Sequence, residues 1–461
     1  MDRKTLIRII VLFVVALVIA VGTLFASFSI PANRFYARIG ENIETLSWRS
    51  QFYPSIIEGR NFSRIDNYTD AIMLQLSIDN PQITLAQQVF APMMLRAFPD
   101  EVRELPNTVK SLEARYLEGA QPDYAYGRYW HGYRVPLRLL GSLFNLQQLR
   151  IFNYLCLGLL FAVSCYCVQR LYNRATMLLF ASSLMAVSIY FVPMSLQFVS
   201  VFYIQLISVI ALCISLERQG ERAWVPEIVA LSAMAVAFFD FFTSPLVVIG
   251  FLSILYALWL YRRKQTSAQV VGKKVAQLYG LWLVVYAAFW GIKGLIAPLF
   301  GVRDLGTSSA RQAAKHIVDA SGSDWIHAIP YNLATLMGAT SLDTNVKDIY
   351  YWLYVGSFFA LVALSAYLWL TVMNRTNANW QLSNSRRFAP LVAIALSPFI
   401  WLQFKPWQSA NHAFVYRELS IFIFGLGAFY VLSWYQAKVQ KHSPRLTPSG
   451  DESVEPHDEV C

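Results

Sequence analysis

Asp66 and Asp70 stand four residues apart in the stretch SRIDNYTDAIML, residues 63–74, just ahead of an apolar run. On a helix, positions i and i+4 share a face. The two carboxylates can then address one Mg²⁺ or Mn²⁺ ion, or one of them can act as a base toward an acceptor hydroxyl. A Ca²⁺ loop is excluded, because it needs ligands at alternating positions and glycine at the sixth, where this stretch has Tyr68 third and Ala71 sixth. A helix cap by Asp66 or Asn67 needs only one acid and leaves the second without a purpose.

Three further clusters mix charge with aromatic rings. DYAYGRYWHGYRVPLRLL, residues 123–140, interleaves Tyr124, Tyr126, Tyr129, Trp130 and Tyr133 with Arg128, His131, Arg134 and Arg138. The faces of Tyr129 and Trp130 suit the C–H faces of a sugar or a prenyl chain, and arginine forks suit phosphate oxygens. An interfacial aromatic belt is the alternative reading. FFDFFTSP, residues 238–245, sets Asp240 among four phenylalanines, where a carboxylate needs a partner, water or a function. Lys293 is one candidate partner. FKPWQSANHAFVYRE, residues 404–418, gathers Lys405, His412 and Arg417 beside Trp407 and Tyr416, a set suited to a lipid-linked phosphate or to lipid headgroups.

The elements that must position these groups are membrane spans. Of 461 residues, 56% are hydrophobic and only 14% charged, well below the charged share of soluble chains. The apolar run from Ile7 to Phe28 follows Arg3, Lys4 and Arg8 and exceeds a signal-peptide core, so it reads as an uncleaved anchor. Nine more runs, near 149–169, 175–194, 196–216, 224–242, 245–261, 275–298, 350–373, 388–404 and 418–436, complete ten spans of an all-α polytopic protein. Basic clusters fall at alternate boundaries, which places both termini in the cytoplasm and the loops 29–135, 299–349 and 405–417 outside. The net charge of +10 belongs to these loop anchors, so nucleic acid is not a partner. Segments 37–57, 81–98 and 329–340 read as amphipathic helices lying on the membrane surface, and the tail 437–461 as disordered from Ser443 onward. The span cysteines read as packing residues.

Taken together, DNYTDA, YGRYWHGYRVPLR, FDFFTSP and NHAFVYRE resemble motifs of a bacterial multi-pass family within the GT-C class of glycosyltransferases, over residues 60–420. The resemblance implies transfer of a sugar from a polyprenyl-phosphate donor to a cell-envelope glycan or protein acceptor outside the plasma membrane. It implies an acid of the first outer loop, Asp66 or Asp70, as base or metal ligand. Arg128, His131, Arg134, Lys405, His412 and Arg417 would bind phosphate, Tyr129, Trp130 and Trp407 would stack on sugar or lipid, and Asp240 is a possible second acid. The class sets its key acids soon after the first span, often adjacent to each other, whereas here they come nearly forty residues later at i,i+4. Which one acts is open. A transporter or flippase, or a polymerase or ligase, for lipid-linked glycans are the competing readings.

Overall fold

The computed structural model of the protein describes residues 2–29, 33–47, 53–96, 107–263, 266–302, 322–340, 349–376 and 385–442. The tail from Ser443 and most of 299–349 lie outside the described residues. Helices α1 (Arg3–Ser29), α2 (Asn33–Ala37), α3 (Ile39–Leu46), α4 (Asn67–Ser77), α5 (Leu85–Phe90), α6 (Thr108–Leu117) and α7 (Arg134–Gly141) form the first span and the loop region. The bundle follows as α8 (Leu146–Leu171), α9 (Arg174–Ala186), α10 (Leu196–Gln219), α11 (Val225–Phe239), α12 (Leu246–Arg263) and α13 (Ala268–Ile296). Then come α14 (Gly322–Leu336), α15 (Ile349–Thr376), α16 (Ala389–Phe404), α17 (Pro406–Asn411) and α18 (Ser420–His442). A two-residue antiparallel pair, β1 (Met93–Met94) with β2 (Tyr124–Ala125), is the sheet among the described residues.

Seven of these helices, counted with their flanking turns, are long and apolar enough to cross a membrane: α1, α8, α10, α13, α15, α16 and α18. The other three expected spans are helical but shorter. Their chemistry explains it. The helix of α9 gives way at Ser188, which takes a left-handed φ of 56°, and the chain continues as a 3-10 turn, Ile189–Met194, containing Pro193. Asp240 ends α11, and the Ser244–Pro245 corner precedes α12.

Helix ends sort to two faces as alternate crossing requires. Arg8 near the start of α1 pairs with Glu227 at the start of α11, 2.9 Å. Arg170 pairs with Glu217, Arg262 donates to the Leu171 carbonyl, and Arg387 donates to the Thr266 carbonyl. The opposite ends meet the region 33–141, and that side is called the loop face below. The core between them is close-packed through glycines. A Cβ on Gly427 would sit 2.3 Å from Leu179, and one on Gly250 2.7 Å from Ile421, so α18 seats against α9 and α12 with backbones near each other.

The region 33–141 is held by arginines acting on helix C-termini. The last carbonyls of a helix lack intrahelical donors, and a guanidinium can supply several at once. Arg115 donates to the Gln75 carbonyl of α4 at 2.7 Å. Arg138 reaches Ser27 of α1 and Ser77 of α4 and pairs with Asp79 at 2.8 Å. Arg134, fully buried, donates to Gln88 and Val89 of α5 and to His131. The surface helices expected at 37–57 and 81–98 are therefore short pieces docked on this framework. In α14, residues Ala328 and Tyr331–Thr335 are buried, and Asn332 donates to the Ser409 carbonyl, so one face of this helix packs against the protein. Replacing Arg134 by methionine strands three carbonyls, two of them buried. It is expected to cost about 3 kcal/mol, read as a lowered melting temperature of the purified protein in nanodiscs.

Candidate functional site

The acid pair sits at a junction of three helices. Asp66 is the N-cap of α4, and its carboxylate accepts from the Thr69 amide and hydroxyl, both at 2.8 Å. Its own amide donates to Ser195 Oγ. One turn on, Asp70 accepts from the first amides of α10, Leu196 at 2.9 Å and Gln197 at 3.4 Å, and pairs with Arg150 of α8 at 3.4 Å. Arg150 also donates to Asn67, which donates to the Leu46 carbonyl. Burial raises Asp66 to about 6 and Asp70 to about 7, although Thr69 pulls the first down and Arg150 the second. Every carboxylate oxygen of the pair is occupied by the fold. No third His, Cys, Asp or Glu joins them in a cluster among the described residues, so this donor set does not fit a divalent ion.

Asparagine caps a helix as well as aspartate does, while alanine loses about 1–2 kcal/mol. Asp66→Asn is therefore expected to keep both melting temperature and activity close to wild type, whereas Asp66→Ala lowers the melting temperature. A base at this position would instead lose its activity in the asparagine variant.

The aromatic segment 123–140 is a second packed node. Trp130 is fully buried and donates to the Phe289 carbonyl at 2.7 Å. Lys293 of α13 donates to the Gly127 and Tyr129 carbonyls, so it serves this segment and is not the partner of Asp240. A Cβ on Gly132 would fall 2.3 Å from the Phe238 ring, which is why the chain can approach α11 there. His131 takes a left-handed φ of 57° and contacts the Tyr126 carbonyl and the Tyr133 hydroxyl. Burial, with Lys293 and Arg134 nearby, pushes it well below the usual imidazole range, so it is no cation for phosphate. Arg134 is spent on carbonyls. Arg128 lies over the Tyr126 and Tyr129 rings at 4.6 and 5.0 Å, and its guanidinium donates to the Tyr126 hydroxyl. Phosphate roles were expected of Arg128, His131 and Arg134 and stacking roles of Tyr129 and Trp130; in the structure all five pack against protein groups. None of the five lines the recess described next.

The 240–245 turn is braced from α16. Asp240 accepts from the Thr243 amide and hydroxyl, and Lys405 at the end of α16 donates to the Phe242 and Thr243 carbonyls at 3.3 and 2.7 Å. Phe242, a bulky residue, holds φ at 68° with its ring against Trp401. A left-handed backbone of this kind costs on the order of 1–3 kcal/mol and persists only where its surroundings fix it. Lys405 is thus a brace, buried within electrostatic reach of Asp240 and Glu418.

What that brace positions is a recess on the loop face. One part of it is lined by Tyr53, Arg64, Ile65, Phe198, His412 and Phe414. A neighbouring part shares Phe198 and Phe414 and adds Thr243, Ser244 and Arg417. Arg417 belongs to the 3-10 turn Ala413–Leu419 and is only 2% exposed. Its three guanidinium nitrogens have no hydrogen-bond partner, and it has no ion pair among the described residues. It rests over the rings of Phe198 and Tyr416, at 4.8 and 5.3 Å, which offsets only part of its lost hydration. A guanidinium does not shed its proton, and an unpaired buried charge costs several kcal/mol. His412 is half-buried, stacks on Phe414 and meets Tyr53 and Trp407 edge-on.

The recess thus unites His412 and Arg417, with Trp407 edge-on to His412, and neither Asp66 nor Asp70 lines it. Asp70 holds the first two amides of α10, Leu196 and Gln197, and Phe198 is the next residue, so the acid pair supports the recess without lining it. Arg150, Arg64, Tyr53 and Phe198 were not singled out by the sequence. Arg150 had a signal: a cation at the non-basic end of a span needs a partner. None of the protein-family models, curated proteins or solved structures compared with the chain matches it.

Proposed function

We propose that the protein is a glycosyltransferase of the bacterial plasma membrane that takes a polyprenyl-phosphate-linked sugar at its loop face. The acceptor is a hydroxyl of a cell-envelope glycan or protein. On this reading the three short apolar helices complete ten crossings, both termini are cytoplasmic and the loop face is outside. The observation that carries the reading is Arg417, a buried cation lining a recess with aromatic walls and lacking any counterion among the described residues.

The chemistry follows from that placement. Arg417 holds the donor phosphate, with the Thr243 and Ser244 side chains beside it. As the bond from the sugar C1 to the phosphate oxygen breaks, its electron pair stays on the phosphate, and a fixed guanidinium stabilises that growing charge. The acceptor oxygen bonds to C1 and its proton passes to His412, an imidazole being the side chain suited to proton transfer near neutral pH. Asp240 and Lys405 are positioning residues, acting through the 242–245 turn. The test is purified protein in lipid with a panel of polyprenyl-phosphate sugars and sized products. Addition of single units supports the reading, a ladder would make it a polymerase, and movement of intact lipid-linked glycan across vesicles without transfer would make it a flippase.

A further inference from the structure

We infer that the ligand of the recess presents two adjacent negative charges, as a lipid diphosphate sugar does, and that Arg64 receives the second. The inference rests on the glycosyltransferase reading and narrows its donor.

The argument is one of charge and placement. The recess has two neighbouring compartments that share the Phe198–Phe414 ring pair, whose centroids are 5.1 Å apart. Arg417 lines one compartment and Arg64 the other. Neither guanidinium has a carboxylate partner among the described residues; Arg64 meets the neutral Tyr331 hydroxyl, and its Nε is buried with no hydrogen-bond partner. Arg64 is carried by the residue pair that enters α4, and Arg417 by the turn before α18, so separate parts of the chain bring one uncompensated cation to each compartment. A sugar joined to a prenyl chain through one phosphate is a diester with a single negative charge, which leaves one cation unmatched. Joined through a diphosphate, it carries two. Tyr53 and His412 add polar groups at the Arg64 compartment, where the second phosphate or the sugar would sit.

Transfer from such a donor breaks the bond between C1 and the proximal phosphate oxygen. The electron pair leaves on the lipid diphosphate, the acceptor oxygen takes its place on C1, and the acceptor proton goes to His412.

The test is calorimetric binding to the full chain in detergent, with farnesyl phosphoryl glucose and farnesyl diphosphoryl glucose as probes. The diphosphate is expected to bind at least tenfold more tightly. Arg64→Gln should bring it down to the monophosphate's affinity while leaving the monophosphate within about twofold, and Arg64→Lys should keep the preference. Arg417→Gln should weaken both. Melting temperatures of the variants show that each is folded. Equal wild-type affinities for the two probes, or an Arg64→Gln effect that is the same for both, would overturn the two-charge inference and leave the transferase reading standing. Failure of the wild-type protein to bind either probe overturns both.

Discussion

Arg417→Gln is expected to lower transfer by a hundredfold or more while making the ligand-free protein more stable. The two effects have one cause. A guanidinium that is 2% exposed, with three unbonded nitrogens, has given up its hydration without a protein counterion. Removing that charge relieves a penalty, so the variant should gain on the order of 1–3 kcal/mol of stability. The same group is the fixed positive donor for the departing phosphate, and deleting one such donor typically costs ~10²–10³ in rate. Arg417→Lys keeps a charge but loses the planar fork, and should fall between the two. Rates and melting temperatures of the three proteins, measured in the same nanodiscs, check the trade. A variant that lost activity and stability together would instead mark Arg417 as a structural residue.

Asp70→Asn should do the reverse, losing stability first and activity in proportion. The Asp70 carboxylate uses one oxygen for the α10 amides and the other for Arg150. An amide offers only one acceptor, so either the helix start loses a hydrogen bond or Arg150 keeps only Asn67, at a cost of about 1 kcal/mol. The start of α10 carries Phe198 into the recess wall, so substrate binding should weaken as the helix loosens.

The pair also sets a pH dependence. Burial, the largest influence on each, raises Asp66 to about 6 and Asp70 to about 7 in the folded protein, above the unfolded value near 3.8. The folded state then holds these protons more tightly than the unfolded chain. Their contribution to stability is fully present below about pH 4 and is lost as pH rises through 6 and 7, an effect on the order of a few kcal/mol. Melting temperature should fall between pH 5 and pH 8, and Asp70→Asn should flatten the larger part of that slope. A slope of opposite sign would mean that the carboxylates are held ionised in the fold.

Most of the helical architecture was legible because a span announces itself by length and apolarity. Each of the ten expected runs contains helix, and Arg170 and Arg262, from two of the basic clusters, meet partners at neighbouring helix ends. The three shortened helices were harder, since Ser188 and the 240–245 turn bend the chain inside apolar runs. The site was legible in part. His412 and Arg417 stand on the recess, and Asp240 and Lys405 brace it. The surroundings of the acid pair were not legible, because i,i+4 spacing looks the same whether the carboxylates face a ligand or another helix. Its partners, Arg150 and the amides of Leu196 and Gln197, lie 80 to 127 residues away along the chain. The same holds for Arg134 and His131, because a sequence shows a cation but not the carbonyls it meets.

The account turns on whether Arg417 receives an anionic lipid, and ligand-induced stabilisation reads that directly. Wild-type protein and Arg417→Gln, each in nanodiscs, would be melted with and without a short polyprenyl-phosphate sugar at equal concentration. The account predicts a ligand-dependent rise in melting temperature for wild type that disappears in Arg417→Gln. An equal rise in both proteins would contradict it.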